Sequence, residues 1–434
     1  MRYDTTEAQN VMREIFLGRI TKGFEESTVL LGIIDEAGSE FVHEKGLDWA
    51  VYLEPNPSMK FIGSGGLLPG GSTSKKKRHK VTYTTFTMAR RLDGQVLHTD
   101  RNSIIKGLMP LVKEDTETFS KAMNVLSYGN GDNRLAVVAA APAGTGAIQM
   151  KKPNGSSLLW KRGKYNIVDP ADGTKRTMTI GGVAKSEFYL VTNSKSTSTA
   201  GFADAEDDAA ADAISATTIV EGDIVVFADS YGLGFHGLAY HLNNTGLYQN
   251  LSRSTYPDQL NPALKDMLEG PLTVAGMDWL EVQVTHAKGG KSTMDSLFWL
   301  FSETQLYGYR KLGYNTDTKV VKQFAGADVK LDLGWRVFEH NGRPLKTDVD
   351  CPPNEANLLD RSSFKKLSAM EPGLVEAQGQ YLQLVPGFDS AGVGSHLWQY
   401  IYYLAALQDI ANMDILNNGK LNNLDTEGLP TRSS

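Results

Sequence analysis

Asp348 and Asp350 have the side-chain type and spacing for acid–base work. Two residues apart on an extended segment, they share a face, where paired carboxylates could hold a cation or act on a glycosidic bond. The neighbouring Asn341-Gly342 offers the same residues a plainer role in turn chemistry. Cys351 precedes Pro352 and has no recognisable catalytic partner. His236 and His241, five apart, read as surface or core residues rather than metal ligands. Gly144-Thr145-Gly146 and Gly129-Asn130-Gly131 do not complete a dinucleotide fingerprint. Residues 71–77 lack the second glycine that a phosphate loop places before its lysine. His-Glu-x-x-His and Gly-x-Ser-x-Gly are both missing. No catalytic, cofactor-binding or metal-ligating residue is therefore assigned, and no cofactor is expected. The remaining concentration of chemistry is charge: Lys75, Lys76, Lys77, Arg78 and Lys80, around His79. Such a run serves as a nucleic-acid contact or import signal, or as a solvated loop tip pairing with acidic neighbours. The net charge of −6 favours the second.

The elements that must position these groups follow from periodicity. Residues 102–127 read as one long helix, with Asn102 or Ser103 as cap and apolar residues at Ile105, Met109, Val112, Phe119, Met123 and Leu126. Pro110 predicts a kink, and Gly129-Asn130-Gly131-Asp132-Asn133 a stop. Upstream, residues 5–22 form an amphipathic helix with Thr6 and Gln9 at capping-box spacing. Residues 29–34 and 49–53 are strand-like. This section has no compact pattern of its own and reads as an arm that packs on something else. Residues 56–101 read as a two-stranded ribbon with a flexible basic tip, marginal alone and needing a partner surface. Short strands at 177–180, 187–192 and 219–227 make residues 155–232 a β-rich module, with an exposed acidic loop at 203–213. Residues 263–288 return to helix, 297–301 form a fully buried strand, and a short helix runs through Lys311. Strands follow at 331–338 and 398–407, and the end is polar.

With 434 residues, 41% hydrophobic and 22% charged, the chain has the composition of an ordinary soluble α+β protein with a large core. Mean hydropathy is −0.29, and neither a membrane span nor a signal peptide is expected. A single cysteine excludes an intrachain disulfide.

The order of elements is more telling than any motif. An arm and a two-stranded basic loop precede the long helix, which ends in Tyr128-Gly129-Asn130-Gly131-Asp132-Asn133 with Leu135-Ala136. A helix, buried strand and helix come later, then Asn341-Gly342-Arg343-Pro344-Leu345, Asp348 and Asp350-Cys351-Pro352. This order resembles the major capsid proteins of tailed bacteriophages, the Hong Kong 97 fold, over most of the chain. Gly222-Asp223-Ile224 and Arg253-Ser254-Thr255-Tyr256-Pro257 are similar to segments of such proteins. The resemblance implies an N-terminal arm (1–55), an extended β-hairpin loop (56–101), a peripheral domain with a spine helix (102–154), a β-rich insertion (155–232), a peripheral-domain core (233–325), and an axial domain with C-terminal tail (326–434). It implies a structural subunit, not an enzyme, that self-assembles through hexamers and pentamers into an icosahedral shell around double-stranded DNA, without sequence-specific binding or a membrane. Separate scaffolding, portal and cement proteins are possible partners, and the destination is the virion, assembled in the host cytoplasm. Lys75, Lys76, Lys77, Arg78 and Lys80 would be inter-subunit contacts at the loop tip, meeting acidic residues of another subunit. Interwoven arms and loops give interfaces above ~2,000 Å². The competing readings are a bacterial nanocompartment shell, a tail or baseplate component, and a β-rich carbohydrate-active hydrolase carrying Asp348 and Asp350.

Overall fold

The computed structural model describes residues 6–16, 20, 24, 28–37, 42–43, 46–54, 74–93, 101–152, 154–287, 296–315, 338–376, 379–388 and 394–430. Among them no helix is long and apolar enough to cross a membrane.

Helix α1 (Thr6–Val11) continues as a π-helical turn, Met12–Phe16. Residues 29–34 are not a strand: Val29–Ile33 is a short helix, α2, and Gly32 and Ile34 donate N–H groups to Thr28 and Leu30 carbonyls. Strand β1 (Asp35–Glu36) follows, then β2 (Gly46–Glu54), β3 (Lys75–Val81) and β4 (Thr84–Asp93), leading into helix α3 (Arg101–Ser127). The arm packs on its own chain. Ala8, Val11, Met12, Phe16, Ile20, Phe24 and Leu30 join the core that contains α3. Phe24 meets Phe119 edge-on at 5.1 Å.

Helix α3 begins before the expected caps, so Asn102 and Ser103 lie inside it. Its core face is also rotated at the start. Ile104 and Leu108 are fully buried while Met109 is 36% exposed, and the stripe then runs through Val112, Phe119, Met123 and Leu126. The expected stop is present, with Gly131 and Asn133 at positive φ.

The chain then builds a six-stranded sheet ordered Ala136–Val137, Ile224–Phe227, Lys164–Val168, Phe188–Ser194, Thr199–Ala203, Ala147–Gln149. A three-stranded sheet, Val183–Lys185, Met178–Ile180 and Ile214–Thr217, accompanies it. The β-rich unit thus takes in strands upstream of residue 155.

Residues 263–270 are a strand, β5 (Ala263–Gly270), rather than helix. The i, i+3, i+4 spacing of Leu264, Met267 and Leu268 misleads, because Leu268 points to solvent at positive φ while β5 pairs in parallel with a distant strand. Helix α4 (Val274–Ala287), strand β6 (Leu297–Phe301) and helix α5 (Glu303–Asn315) follow, and β6 is buried throughout. Of the expected strand at 331–338, residues 331–337 lie outside the described residues, and β7 (Phe338–His340) follows. The Asn341-Gly342 turn, both residues at positive φ, then joins β7 to β8 (Arg343–Thr347). After β9 (Ala356–Asp360) come β10 (Phe364–Leu374), β11 (Gln383–Phe388), β12 (Gly394–Asn412) and β13 (Gly419–Leu424).

Two sheets organise this half. One has the order β5-β13-β9-β6-β8-β7, with Trp299, Phe301 and Leu358 packing on Met277, Leu280 and Val284 of α4. The other has the order β1-β10-β12-β11, with β4 on the free edge of β12. Strands β7 to β13 are therefore divided between two sheets.

Polar groups tie α3 to the second sheet. Asp115, on the buried face, accepts hydrogen bonds from Tyr402 of β12 and, at 2.5 Å, from Arg90 of β4. Its side chain is 3% exposed, so removing it strands the buried Tyr402 hydroxyl and leaves Arg90 with the exposed Glu114 as its carboxylate. Asp115→Ala lowers stability by about 1.5–3 kcal/mol in urea unfolding of the soluble chain, the cost of losing hydrogen bonds to a charged group. Lys113→Ala, which breaks the solvent-exposed Lys113–Glu117 pair, shifts it by under about 0.5 kcal/mol.

Candidate interaction surface

The basic run is not a flexible loop tip. It is strand β3, paired antiparallel with β2 from Leu47↔Val81 to Glu54↔Lys75. The segment joining the two strands, 55–74, lies almost wholly outside the described residues. Opposed residues share a face, so the hairpin has two chemically different sides. On one side Trp49, His79 and Val81 are buried. Trp49 and Val81 pack on Leu367 and Ala411, while Leu53 packs on Tyr248, Leu251, Leu260 and Ile415. On the other side Lys76, Arg78 and Lys80 stand exposed at every second position, opposite Tyr52, Ala50 and Asp48. Lys75 and Lys77 are also exposed, and Lys75 pairs with Glu54 at 2.8 Å. That pair raises the Lys75 pKa, but solvent leaves it little energetic weight.

His79 is the hairpin's anchor. Its ring lies 5.7 Å from Trp49 and 5.4 Å from Tyr248, and burial, offset only in part by Gln249, pushes its pKa down to about 4. Beneath it, Arg253 is 1% exposed, stacks 4.9 Å from the Tyr248 ring and donates to the carbonyls of Leu260 and Tyr240. Carbonyl dipoles and a ring face, rather than a carboxylate, hold this cation.

The residues considered for catalysis have structural roles. Asp348 is buried and accepts from Tyr128 Oη at 2.7 Å, from Asn124 Nδ2 at 3.0 Å and from the Asp350 N–H at 2.9 Å. Asp350 accepts from the same Asn124 at 2.9 Å. The pair clamps the turn after β8 to the end of α3, with no cleft between the carboxylates. Burial holds the Asp348 carboxyl above the usual carboxylate range, against the hydrogen bonds it receives. Burial likewise raises the Cys351 thiol far above a reactive value. His236 and His241 hold different side-chain partners. Burial disfavours the charged form of His236, but Asp409 Oδ2, 2.7 Å from Nδ1, outweighs it and raises the pKa. His241, fully buried beside Tyr248 and the Ile410 carbonyl, is pushed down to about 3.

Two acidic groupings escaped the sequence reading. Asp278, Glu281 and His340 meet where α4 faces the β7–β8 turn, but their oxygens are already engaged. Glu281 accepts from Trp299 Nε1 at 2.9 Å and pairs with Arg343 at 3.0 Å, while Asp278 lies 3.0 Å from His340 Nε2. This is an internal ion-pair network. Asp204, Asp208 and Asp212, in the acidic loop, bring carboxylate oxygens within 4.8 Å of one another. The clustering of acids in 203–213 was visible in the sequence, but the convergence of these three was not. A cavity of about 430 Å³ lies between α3, β4 and the β-rich unit, lined by Phe86, Phe119, Trp160, Phe227 and Phe235 with Asn133 and Lys164. Lys164 and Asp229 both line it.

No family model matches the sequence, and no curated protein matches it. Solved structures do. The subunit in the cyanophage A-1(L) capsid asymmetric unit is similar over 92% of this chain and 93% of its own, with TM-score 0.50 and 14% identity. A chain from Mycobacterium phage Adephagia is similar over 92% and 90%, with TM-score 0.44 and 10% identity. One from the holo-SrpI encapsulin complex of Synechococcus elongatus is similar over 93% and 89%, with TM-score 0.39 and 9% identity. The chain has the expected Hong Kong 97-type α+β fold, that of a phage capsid subunit.

The buried His79 makes hairpin docking acid-sensitive. Its folded pKa, about 4, lies below the ordinary 6.5, so the unfolded chain takes up the proton first. The stabilisation is complete above pH 6.5 and is lost as pH falls towards 4. Urea midpoints measured across that window fall with pH, and His79→Phe makes the fall shallower. The slope does not vanish, because His241 titrates in the same direction.

Proposed function

We propose that this chain is a major capsid protein: a structural subunit, not an enzyme, that assembles through hexamers and pentamers into the icosahedral shell around a phage double-stranded DNA genome. The observation that carries the reading is the end-to-end match of fold with a phage capsid subunit, which leaves no large part of either chain unaccounted for. The hairpin supports a role between subunits, because Lys76, Arg78 and Lys80 are exposed on one side of β3, where a surface of complementary charge can approach them. In this reading Lys75, Lys76, Lys77, Arg78 and Lys80 contact a neighbouring subunit. The DNA is enclosed without base recognition, since a chain of net charge −6 lacks the basic footprint of a specific binder. The protein's place is the virion, with assembly in the host cytoplasm and with separate scaffolding, portal and cement proteins as partners.

Expression of the chain followed by analytical ultracentrifugation and negative-stain imaging tests this. Rings, tubes or closed shells are expected. A stable 47.4 kDa monomer at high concentration and salt overturns the reading. Replacing Lys75, Lys76, Lys77, Arg78 and Lys80 together by Ser lowers the yield of large particles while leaving the subunit folded. Unchanged assembly would remove these residues from the interface.

A further inference from the structure

We infer that the cavity between α3, β4 and the β-rich unit is a binding site for an uncharged, flat aromatic molecule of about two or three fused rings. Its volume, about 430 Å³, is nearly three times the roughly 150 Å³ that takes up one benzene. Rings come from every wall: Phe119 from α3, Phe86 from β4, Trp160 and Phe227 from the β-rich unit, and Phe235 from the segment after it. Phe119 and Phe235 are almost fully buried and form the floor. Phe86 lies 4.7 Å from Phe119 and 6.3 Å from Phe227, and Trp160 stacks on Phe227 at 5.7 Å. A guest ring therefore meets both ring faces and ring edges, the contacts that aromatic pairs favour, and its removal from water supplies the drive. Concave, mainly apolar cavities of this size are the usual form of small-molecule sites.

The polar part of the lining selects against charge. Lys164 and Asp229 keep 44% and 70% of their side-chain surface exposed, so they stand at the mouth. Both are already neutralised. Lys164 pairs with Glu187, Asp229 pairs with Lys175 at 2.5 Å, and Lys175 lies 3.8 Å from Glu187, which makes a closed run of four alternating charges. A charged guest would give up its hydration and find no unpaired counter-charge in return. Deeper polar groups are also engaged within the chain: Asn133 donates to the Ser230 carbonyl at 2.6 Å and the Ser230 hydroxyl to the Phe227 carbonyl at 2.7 Å. The walls belong to three parts of the subunit, so a seated molecule braces the helix, the strand that follows the hairpin and the β-rich unit against one another. A ligand held only by the folded chain raises its stability.

Indole, indole-3-acetate and tryptamine share one ring system and differ in charge, and calorimetric titration of the full-length chain with each tests the site. Indole binds saturably, with a dissociation constant of about 1 mM or below, and raises Tm. The anionic and cationic analogues bind roughly tenfold more weakly or worse. Ala122→Phe, from a buried position on the α3 wall, fills the cavity and weakens indole binding by about tenfold or more, while circular dichroism shows the fold intact. If that variant does not fold, Thr118→Leu on the same wall replaces it. Indole binding that does not saturate, or that is unchanged in the filled variant, overturns the site. Equal or tighter binding of either charged analogue overturns its selectivity for uncharged guests. Indole bound by the free chain but excluded from assembled particles gives the cavity to a neighbouring subunit and overturns the inference. The titration reads the same on a chain that stays monomeric, so its result stands apart from that of the shell reading.

Discussion

The structure depends on covering one 27-residue helix from several sides at once. The arm, strands β4 and β12 and the β-rich unit all contribute to the core that buries the α3 stripe. None of these parts has a comparable core alone. The described helices of the arm are short, and β4 pairs only with β12 among the described strands. The apolar stripe supplies the drive for burial, and that drive is not directional. Direction comes from polar groups set into the stripe. Asp115 must face Tyr402 and Arg90, and Asn124 and Tyr128 must face Asp348. A helix turned by one residue would leave these groups buried without partners, which costs more than a shift among apolar contacts.

The ties Asp115–Tyr402, Asn124–Asp348 and Tyr128–Asp348 join residues more than two hundred positions apart, and the core is closed by strands made late in the chain. Non-local pairing of this kind slows folding and leaves apolar surface exposed meanwhile. The buried network around Arg253, His241 and Tyr248 has the same character. It joins the irregular segment 240–260 to the carbonyls of β12 and receives the hairpin through His79. The hairpin is therefore held by the part of the molecule that is completed late.

Much of this architecture was legible in sequence where local chemistry and tertiary role agree. The helix end at Gly129-Asn130-Gly131, the buried strand Leu297–Phe301 and the Asn341-Gly342 turn need little from outside. The failures came where context decides. Val29–Ile33 has β-branched and apolar residues suited to a strand, yet Thr28 and Leu30 carbonyls capture the following N–H groups. Leu264, Met267 and Leu268 mimic a helical stripe, yet their segment completes a sheet edge supplied from residue 419 onwards. The basic run was read as a loop because five cations in six residues outweigh its β pattern. The signal was present in the alternation of His79 and Val81, a buried pair two apart. The candidate interface was half legible. The basic run stood out, but its spatial form, a straight row, follows from strand pairing.

Strand β12 is bonded along both edges over most of its 19 residues, to β4 on one side and to β10 and β11 in succession on the other. A pull along its length would load the two ladders in shear. Their hydrogen bonds then carry the load in parallel and must give way together, whereas a pull across a sheet edge opens bonds one after another. The stiffest direction of this sheet is therefore the axis of β12, and tension led into that axis is spread over three strands before it reaches any loop.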